Sequence, residues 1–335
     1  MVSFKFPAAL LLCHLTSAFS LSILPAQQIT GSENISAVLF PAILSNLTAP
    51  PPIPGFEVRL LFDQNPILVL YQVYNNAIET MIWLAVQPYS YPLIVDVTMT
   101  APFYVEELRL DMWPERTTRF QMKHAVQAIY EAGMALAVKP ITRRGYVPRL
   151  YAGLFLQNQQ IGFMKWQHKQ RAVAGATNGT VDLVDVVNST STLQLMHVDR
   201  PTSLQVDIGD IVDPRDSQFK ITYEVCDKDA HLPETFSAFL DAIATAATYD
   251  EFATGAFVNA ASVSGDIALN VHGSDVDSSL SWRRLVRTLT LLWENIIMDH
   301  NFKELDFEIF YAGRKIGEGF IMNLTAPRTS MAFSC

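Results

Sequence analysis

Hydrophobic and polar residues alternate along two segments of the chain, 56–62 and 219–225, with the two-residue period of a strand buried on one face. A helical period follows each segment. The first helix is predicted to end before Pro88, and Pro233 with Glu234 begins the second. The residues predicted to face inward are Leu70, Tyr74, Ala77, Met81 and Ala85 in the first helix, and Phe236, Leu240, Ile243 and Ala247 in the second.

Another strand and another helix are predicted after each of these pairs. The strands are expected at 93–99 and 266–271, where apolar side chains again recur with short spacing. The helices that follow are expected to bury Met122, Val126, Ile129 and Gly133 in one case and Leu285, Leu289, Leu292 and Ile296 in the other. The order of elements is therefore the same in both parts of the chain.

Segments 154–162 and 309–317 align without a gap, and both are predicted to be β-hairpins that turn at Asn158 and Gly313. Their equivalence predicts that Ile161 and Ile316 are both buried. We therefore expect an α+β protein made of two tandem, pseudo-symmetric copies of a strand-helix-strand-helix-hairpin unit, at 55–168 and 205–325. The pattern leaves open whether the copies pack as a pair or form separate lobes.

Residues 1–20 have the composition of a signal peptide, because Lys5 precedes a short apolar stretch and the small residues Ala18 and Ser20 follow it. We expect cleavage after Ser20, which removes Cys13. Residues 21–54 are predicted to be a Pro/Ser-rich leader, 169–204 a glycosylated linker and 326–335 a tail. No later stretch is apolar over a membrane-spanning length, so a soluble, secreted, extracellular product without a membrane anchor is expected.

Asn-x-Ser/Thr sequons predict N-glycosylation of a secreted chain and surface positions for the asparagines that carry it. They occur at Asn34, Asn46, Asn178, Asn188 and Asn323. After loss of the signal, the remaining cysteines, Cys226 and Cys335, can form one disulfide, which would hold the tail. The core must therefore stabilise the fold, and 50% of the residues are hydrophobic.

The short signal, the Pro-rich segment 50–58, the Tyr-Ala-Gly-Leu-Phe-Leu-Gln-Asn hairpin at 151–158 and the scattered sequons together resemble uncharacterised secreted proteins of filamentous fungi. The resemblance implies a setting outside the cell and supplies no function.

The sequence contains no recognisable catalytic, phosphate-binding or zinc-binding motif, so we predict no catalytic residue, cofactor or metal ligand. The net charge of −9 without a run of basic residues argues against nucleic acid as a partner. Scattered histidines are interpreted as surface or helix-end residues; they are His124, His168, His197, His231, His272 and His300. The arginines Arg283, Arg284 and Arg287 are expected on the polar face of their helix.

Carboxylates are the chemical groups best suited to catalysis in this chain. Glu106, Glu107, Asp111 and Glu115 are expected to crowd the start of a helix. Asp306 and Glu308 are expected on one face of a strand, with Phe307 and Ile309 on the other. A pair of carboxylates across a groove would suit glycoside hydrolysis. We interpret these residues as a solvated surface instead.

Five tryptophans could mark a binding surface, since exposed aromatic faces stack on sugars. Trp293 is expected in the core, and Trp166 is the candidate for exposure. The leading hypothesis is a non-catalytic extracellular protein that binds an unknown extracellular protein or polysaccharide. The alternatives are an extracellular hydrolase with a carboxylate pair in a cleft between the two copies, and a lipid or small-molecule carrier.

Overall fold

The computed structural model describes residues 50–100, 108–115, 119–138, 146–168, 207–274, 279–297 and 302–325. In these ranges the chain forms two antiparallel sheets and four α-helices, so the expected α+β class is confirmed. We call residues 55–168 the first half and residues 205–325 the second half. None of the described helices is both long enough and apolar enough to span a bilayer.

The first half contains a five-stranded sheet and two helices. Its strands are β1 (Phe56–Val69), β2 (Val97–Thr100), β3 (Leu108–Pro114), β4 (Tyr146–Leu156) and β5 (Gln159–His168), in the order β1-β4-β5-β3-β2. The helices are α1 (Leu70–Ala85) and α2 (Met122–Val138). The inward-facing residues predicted for α1 are all buried, because the apolar period matches the face that packs on the sheet.

The second half contains a six-stranded sheet and two helices. Its strands are β6 (Asp207–Asp213), β7 (Asp216–Asp229), β8 (Phe257–Ala261), β9 (Ile267–Gly273), β10 (Lys303–Tyr311) and β11 (Arg314–Asn323), in the order β6-β7-β10-β11-β9-β8. Helix α3 (Leu232–Ala246) has a proline in its first turn, and α4 (Trp282–Leu292) is capped by Ser281, whose side chain accepts from the Arg284 N–H. A π-helical turn, Trp293–Ile297, extends α4.

Both sheets follow one path when they are compared strand by strand. The strands of each half can be numbered in chain order, starting at β1 in the first half and at β7 in the second. Both sheets then have the spatial order first, fourth, fifth, third, second. Strands β1 and β7 each contain 14 residues and each precede a helix. Strand β6 was not predicted; it pairs with the free edge of β7, and no described strand occupies the corresponding edge of β1.

The strand predicted at 93–99 was only partly correct. The structure begins β2 at Val97, and Ile94 and Val95 before it are exposed, so an apolar run that resembles a buried strand lies at the surface. Strand β3 was missed because its polar residues hid the alternation. By strand order, β2 corresponds to β8 and β3 corresponds to β9. The sequence analysis had matched the segment at 93–99, which contains the start of β2, with β9 instead.

The β4–β5 and β10–β11 hairpins match in detail. Both turns use left-handed backbone, with φ of 52° and 65° at Gln157 and Asn158 and of 50° and 77° at Ala312 and Gly313. Each ladder shifts register at the same place, between Leu154 and Phe155 and between Ile309 and Phe310. The extra residues of these bulges, Ile161 and Ile316, are both buried, as predicted.

Helices of the two halves pack against one another, α1 and α2 against α3 and α1 also against α4. A single hydrophobic cluster runs through both halves. Tyr74, the fifth residue of α1, stacks on Phe236, the fifth residue of α3, with ring centroids 3.8 Å apart and planes inclined by 8°. Gly133 of α2 allows Leu240 and Phe236 of α3 to approach closely.

Candidate functional site

A pocket of about 460 Å³ opens in the first half, in the size range of small-molecule sites. Three segments that are distant in the chain form it: the segment before β1, the start of α2 and the turn of the β4–β5 hairpin. Its lining combines apolar, amide and basic side chains, from Ile53, Pro54, Leu156, Gln121, Gln157, Arg119, Lys123 and His124.

Backbone hydrogen bonds fix the walls of this pocket. Gln157 donates its N–H to the carbonyl of Gly55 at 2.7 Å, which joins the hairpin turn to the segment before β1. Phe56 donates to the carbonyl of Ile53 at 3.1 Å. Gly55 has a φ of 73°, a conformation that L side chains rarely adopt, so glycine is required for this close approach.

His124 lines the pocket, and its ring packs near Phe56 and Phe120, with centroid distances of 4.9 and 5.8 Å. Its Nδ1 accepts from the backbone N–H of Gln121 at 3.0 Å, so the proton of the neutral ring is on Nε2. Burial, together with the nearby charge of Lys123, lowers the pKa of His124 to about 4, which keeps the ring neutral near pH 7. The side chain is 2% exposed, and Nε2 has no hydrogen-bond partner among the described residues.

Two cationic side chains, Arg119 and Lys123, line the pocket together with His124. Lys123 is half-buried, and Arg119 is exposed and donates from Nη1 to Oε1 of Gln159 at 2.6 Å. Within the ranges that the structure describes, neither forms a salt bridge with a carboxylate. The pocket is therefore a local positive site on a protein whose net charge is −9.

The second half fills the corresponding position with its own side chains. Arg284, the third residue of α4, corresponds to His124, the third residue of α2. Its guanidinium lies 3.8 Å from the ring centroid of Tyr311, the last residue of β10, where the first half has Leu156. Arg284 also donates to the carbonyl of Ser279 at 2.9 Å. The equivalent residues of the first half, His124 and Leu156, are shorter, and both line the pocket.

A second group of ionisable residues lies where the two halves meet. Glu79 of α1 is half-buried, and burial, with the charge of Glu294, raises its pKa to about 8. Glu294 lies in the π-helical turn, where burial raises its pKa and Arg287 and Arg215 oppose that shift. Arg287 in turn binds Asp213 through two hydrogen bonds of 2.6 and 2.7 Å. Burial therefore raises the pKa of both carboxyl groups, and the charge of Glu294 adds to the shift of Glu79.

A third acid, Asp241 of α3, is buried in the helix packing between the halves. It accepts a hydrogen bond of 3.1 Å from the hydroxyl of Tyr130 on α2, and burial raises its pKa to about 7. Its side chain is 2% exposed, so it is a structural polar contact between the halves and does not reach a pocket.

The carboxylates singled out in the sequence do not form a site. Asp111 was expected at a helix start but lies on β3, where it is buried, pairs with Arg109 at 2.6 Å and accepts from Thr98 and Gln167. Glu308 is exposed and pairs with Lys315 at 2.6 Å, while Phe307 and Ile309 are buried, so the predicted alternation is confirmed. Glu106 and Glu107 lie outside the described residues.

The tryptophan predictions had opposite outcomes. Trp293 is buried as expected. The prediction for Trp166 was wrong: the side chain is fully buried, because its indole N–H donates to Oδ1 of Asn76 at 2.9 Å and its rings fill the core. Among the three arginines of α4, Arg283 is exposed as expected, whereas Arg284 stacks on Tyr311 and Arg287 is mostly covered by its ion pair.

Most of the predicted modification sites lie outside the described residues, including Asn34, Asn46, Asn178, Asn188 and Cys335. Asn323 ends β11, where its Nδ2 donates to the carbonyl of Asp229 at 3.0 Å and its Oδ1 accepts from Thr325. Cys226 is disulfide-bonded, and its pairing with Cys335 stays a prediction. No group of three or more potential metal ligands occurs in the described ranges.

Sequence reasoning missed the pocket residues Arg119 and Lys123 and placed His124 among scattered helix-end histidines. A signal was present, since three basic or imidazole side chains occur within six positions of a predicted helix start. What the sequence could not indicate is that the hairpin turn and the segment before β1 enclose them.

No protein-family model matches the chain, and no curated protein sequence matches it. Among solved structures, the chain is similar to the crystal structure of the tandem DUF26 ectodomain from the Arabidopsis thaliana cysteine-rich receptor-like protein PDLP8. The alignment has 8% sequence identity and a TM-score of 0.21, and it covers 79% of this chain and 95% of the other.

Proposed function

We propose that this chain is a non-catalytic extracellular binding protein that recognises an extracellular protein or polysaccharide through the pocket of its first half. One observation carries this proposal: an open pocket is lined by His124 and two cationic side chains, and no carboxylate, hydroxyl or thiol side chain is among its lining residues. Such a lining can hold a ligand, but it lacks the nucleophile or paired acids that hydrolysis needs.

We also propose that the two halves are copies of one unit. The common strand order, the matched hairpin bulges and the stacking of Tyr74 on Phe236 at equivalent helix positions support this duplication. The filled position at Arg284 and Tyr311 then gives the two halves different roles, with the ligand pocket kept in the first half.

Secretion, cleavage after Ser20, glycosylation of the sequons and a disulfide between Cys226 and Cys335 complete the proposal. The signal-like first 20 residues support secretion, and the disulfide at Cys226 is consistent with an oxidising compartment.

The test is a pull-down with the purified glycoprotein against polysaccharides and against secreted proteins. The matched variant is His124→Arg with Leu156→Tyr, which copies the pair that fills the second half. We expect it to lose the captured ligand, whereas Tyr311→Leu in the second half should retain it. Capture that is equal for all three proteins would contradict a role for the pocket.

A second candidate function, an extracellular hydrolase, is favoured by the opposed acids Glu79 and Glu294. Glu79 has a pKa raised by burial and by the charge of Glu294, and a carboxyl group with a raised pKa is what acid-assisted glycoside hydrolysis uses as its acid. Release of reducing sugar from polysaccharides by the wild type, and its loss in both Glu79→Gln and Glu294→Gln, would support this function. Glu308→Gln on the exposed sheet face is the control. Sugar release that both variants retain would exclude this pair.

A further inference from the structure

We propose that the pocket at the start of α2 binds the negatively charged group of a small organic anion, such as the carboxylate of a uronic acid unit in an acidic polysaccharide. This inference rests on the proposed binding function and assigns its ligand class. The site consists of Arg119, Lys123 and the Nε2–H of His124, with Leu156 and Pro54 as its apolar wall.

The side-chain donors of this site are available to a ligand, apart from the Arg119 Nη1 group that donates to Oε1 of Gln159. The backbone N–H groups at the start of α2 are not, since Met122 and Lys123 donate to the carbonyls of Tyr91 and Tyr89 and the Gln121 N–H donates to His124. Recognition therefore depends on side chains. Among them, His124 is the least exposed residue, at 2%, and the hydrogen bond that its Nδ1 accepts from the Gln121 N–H fixes the ring.

The charge arrangement favours an anion over a neutral ligand. Lys123 and Arg119 carry positive charge that no carboxylate in the described ranges neutralises, and an oxyanion would accept charge-assisted hydrogen bonds from both. A guanidinium, a lysine ammonium and an imidazole N–H supply donors only, so the basic part of the pocket matches an acceptor-rich group.

The remaining surface suits the uncharged body of such a ligand. Leu156, Pro54 and Ile53 offer apolar contact, and the amides of Gln121 and Gln157 can exchange hydrogen bonds with hydroxyl groups. Because the protein is acidic overall, a large polyanion is repelled by most of its surface. A short acidic oligosaccharide or the end of a chain fits better than a long one.

The experiment is calorimetric titration of the full glycoprotein with trigalacturonate, cellotriose, a sulfated disaccharide, inorganic sulfate and inorganic phosphate. We expect trigalacturonate to bind and cellotriose not to bind. Lys123→Gln and Arg119→Gln should each weaken binding about tenfold, the loss expected for one charge-assisted hydrogen bond. Added salt should weaken binding further. Preference for the sulfated disaccharide over trigalacturonate would keep the anion site but identify sulfate as its group.

Arg283→Gln is the matched control, because Arg283 is the second residue of α4 as Lys123 is of α2, and each donates its N–H to the loop that follows the preceding helix. Equal binding by Lys123→Gln and the wild type would overturn the proposal, as would tight binding of cellotriose. If the pull-down captures a partner that binds Lys123→Gln as tightly as the wild type, the binding function is supported and the anion site is refuted. If neither the pull-down nor the titration detects a ligand, the proposed binding function and the anion site are both refuted.

Discussion

The indole N–H of Trp293 donates a hydrogen bond of 3.1 Å to Oδ1 of Asn75, which joins the end of α4 in the second half to α1 in the first. Both side chains are buried. This contact fixes how the halves are packed, because breaking it leaves the buried Asn75 oxygen without its donor.

We expect Trp293→Phe to lower the free energy of unfolding by about 2 kcal/mol, since it removes this hydrogen bond and leaves a cavity. Denaturant unfolding monitored by circular dichroism measures the change. Trp282→Phe is a useful comparison, because Trp282 stacks on Tyr249 within the second half. A loss at Trp293 no larger than that at Trp282 would contradict a role for the bond between the halves.

Gly133→Ala should destabilise the protein although alanine is the better helix former. An added Cβ would collide with Cδ2 of Leu240 and lie 3.2 Å from Cζ of Phe236, so these buried side chains, or the helices that carry them, would have to shift. We expect a loss of about 1–3 kcal/mol in thermal unfolding. Gly273→Ala, whose Cβ would make ordinary contact at 3.7 Å with Leu280, should change stability little.

The contribution of Asp241 to stability should fall as the pH rises from about 4 to about 7, because Asp241 keeps its proton in the folded protein while the unfolded chain loses it. Asp241→Asn imitates the protonated acid and retains the acceptor for Tyr130. We expect it to reduce this fall by about 4 kcal/mol, because a pKa raised from 3.8 to about 7 corresponds to about 1.4 kcal/mol for each pKa unit. Urea unfolding at several pH values measures the slope. A slope that is the same in the variant and the wild type would show that Asp241 is ionised in the folded state.

Ala312→Asn should stabilise the second hairpin. Ala312 has a φ of 50°, and asparagine tolerates this left-handed conformation better than alanine. An increase of about 0.5–1 kcal/mol in unfolding free energy is expected. In the first hairpin, Asn158→Ala at a φ of 65° should have the opposite sign. Effects of equal sign in the two turns would be inconsistent with this explanation.

Secreted material should begin near Leu21 and lose mass on treatment with an N-glycosidase, chiefly through glycans at Asn178 and Asn188. N-terminal sequencing and mass spectrometry test both expectations. Peptide mapping without reduction should recover Cys226 linked to Cys335. An N-terminus at Met1 would refute cleavage of the signal peptide. A peptide with free Cys335 would refute the disulfide.

The sequence predicts repetition well and chemistry poorly. The helices were found because apolar residues such as Tyr74 and Leu289 recur with one period and all face the core. Strand β3 was missed because Asp111 looks like a surface residue, yet Arg109, Thr98 and Gln167 satisfy its carboxylate inside the fold. The pocket could not be predicted, because Pro54, His124 and Leu156 come together only through the hairpin and the start of α2.

The stacking of Tyr74 on Phe236 has an evolutionary consequence. In a symmetric dimer, a residue on the twofold axis contacts its own copy, and these two residues hold the same place in their helices. If the proposed duplication arose by fusion of a homodimer, this aromatic position is where its two subunits met. Gene fusion would have freed that assembly from dependence on subunit concentration. It would also have let one former subunit close its pocket with Arg284 and Tyr311 while the other kept an open one.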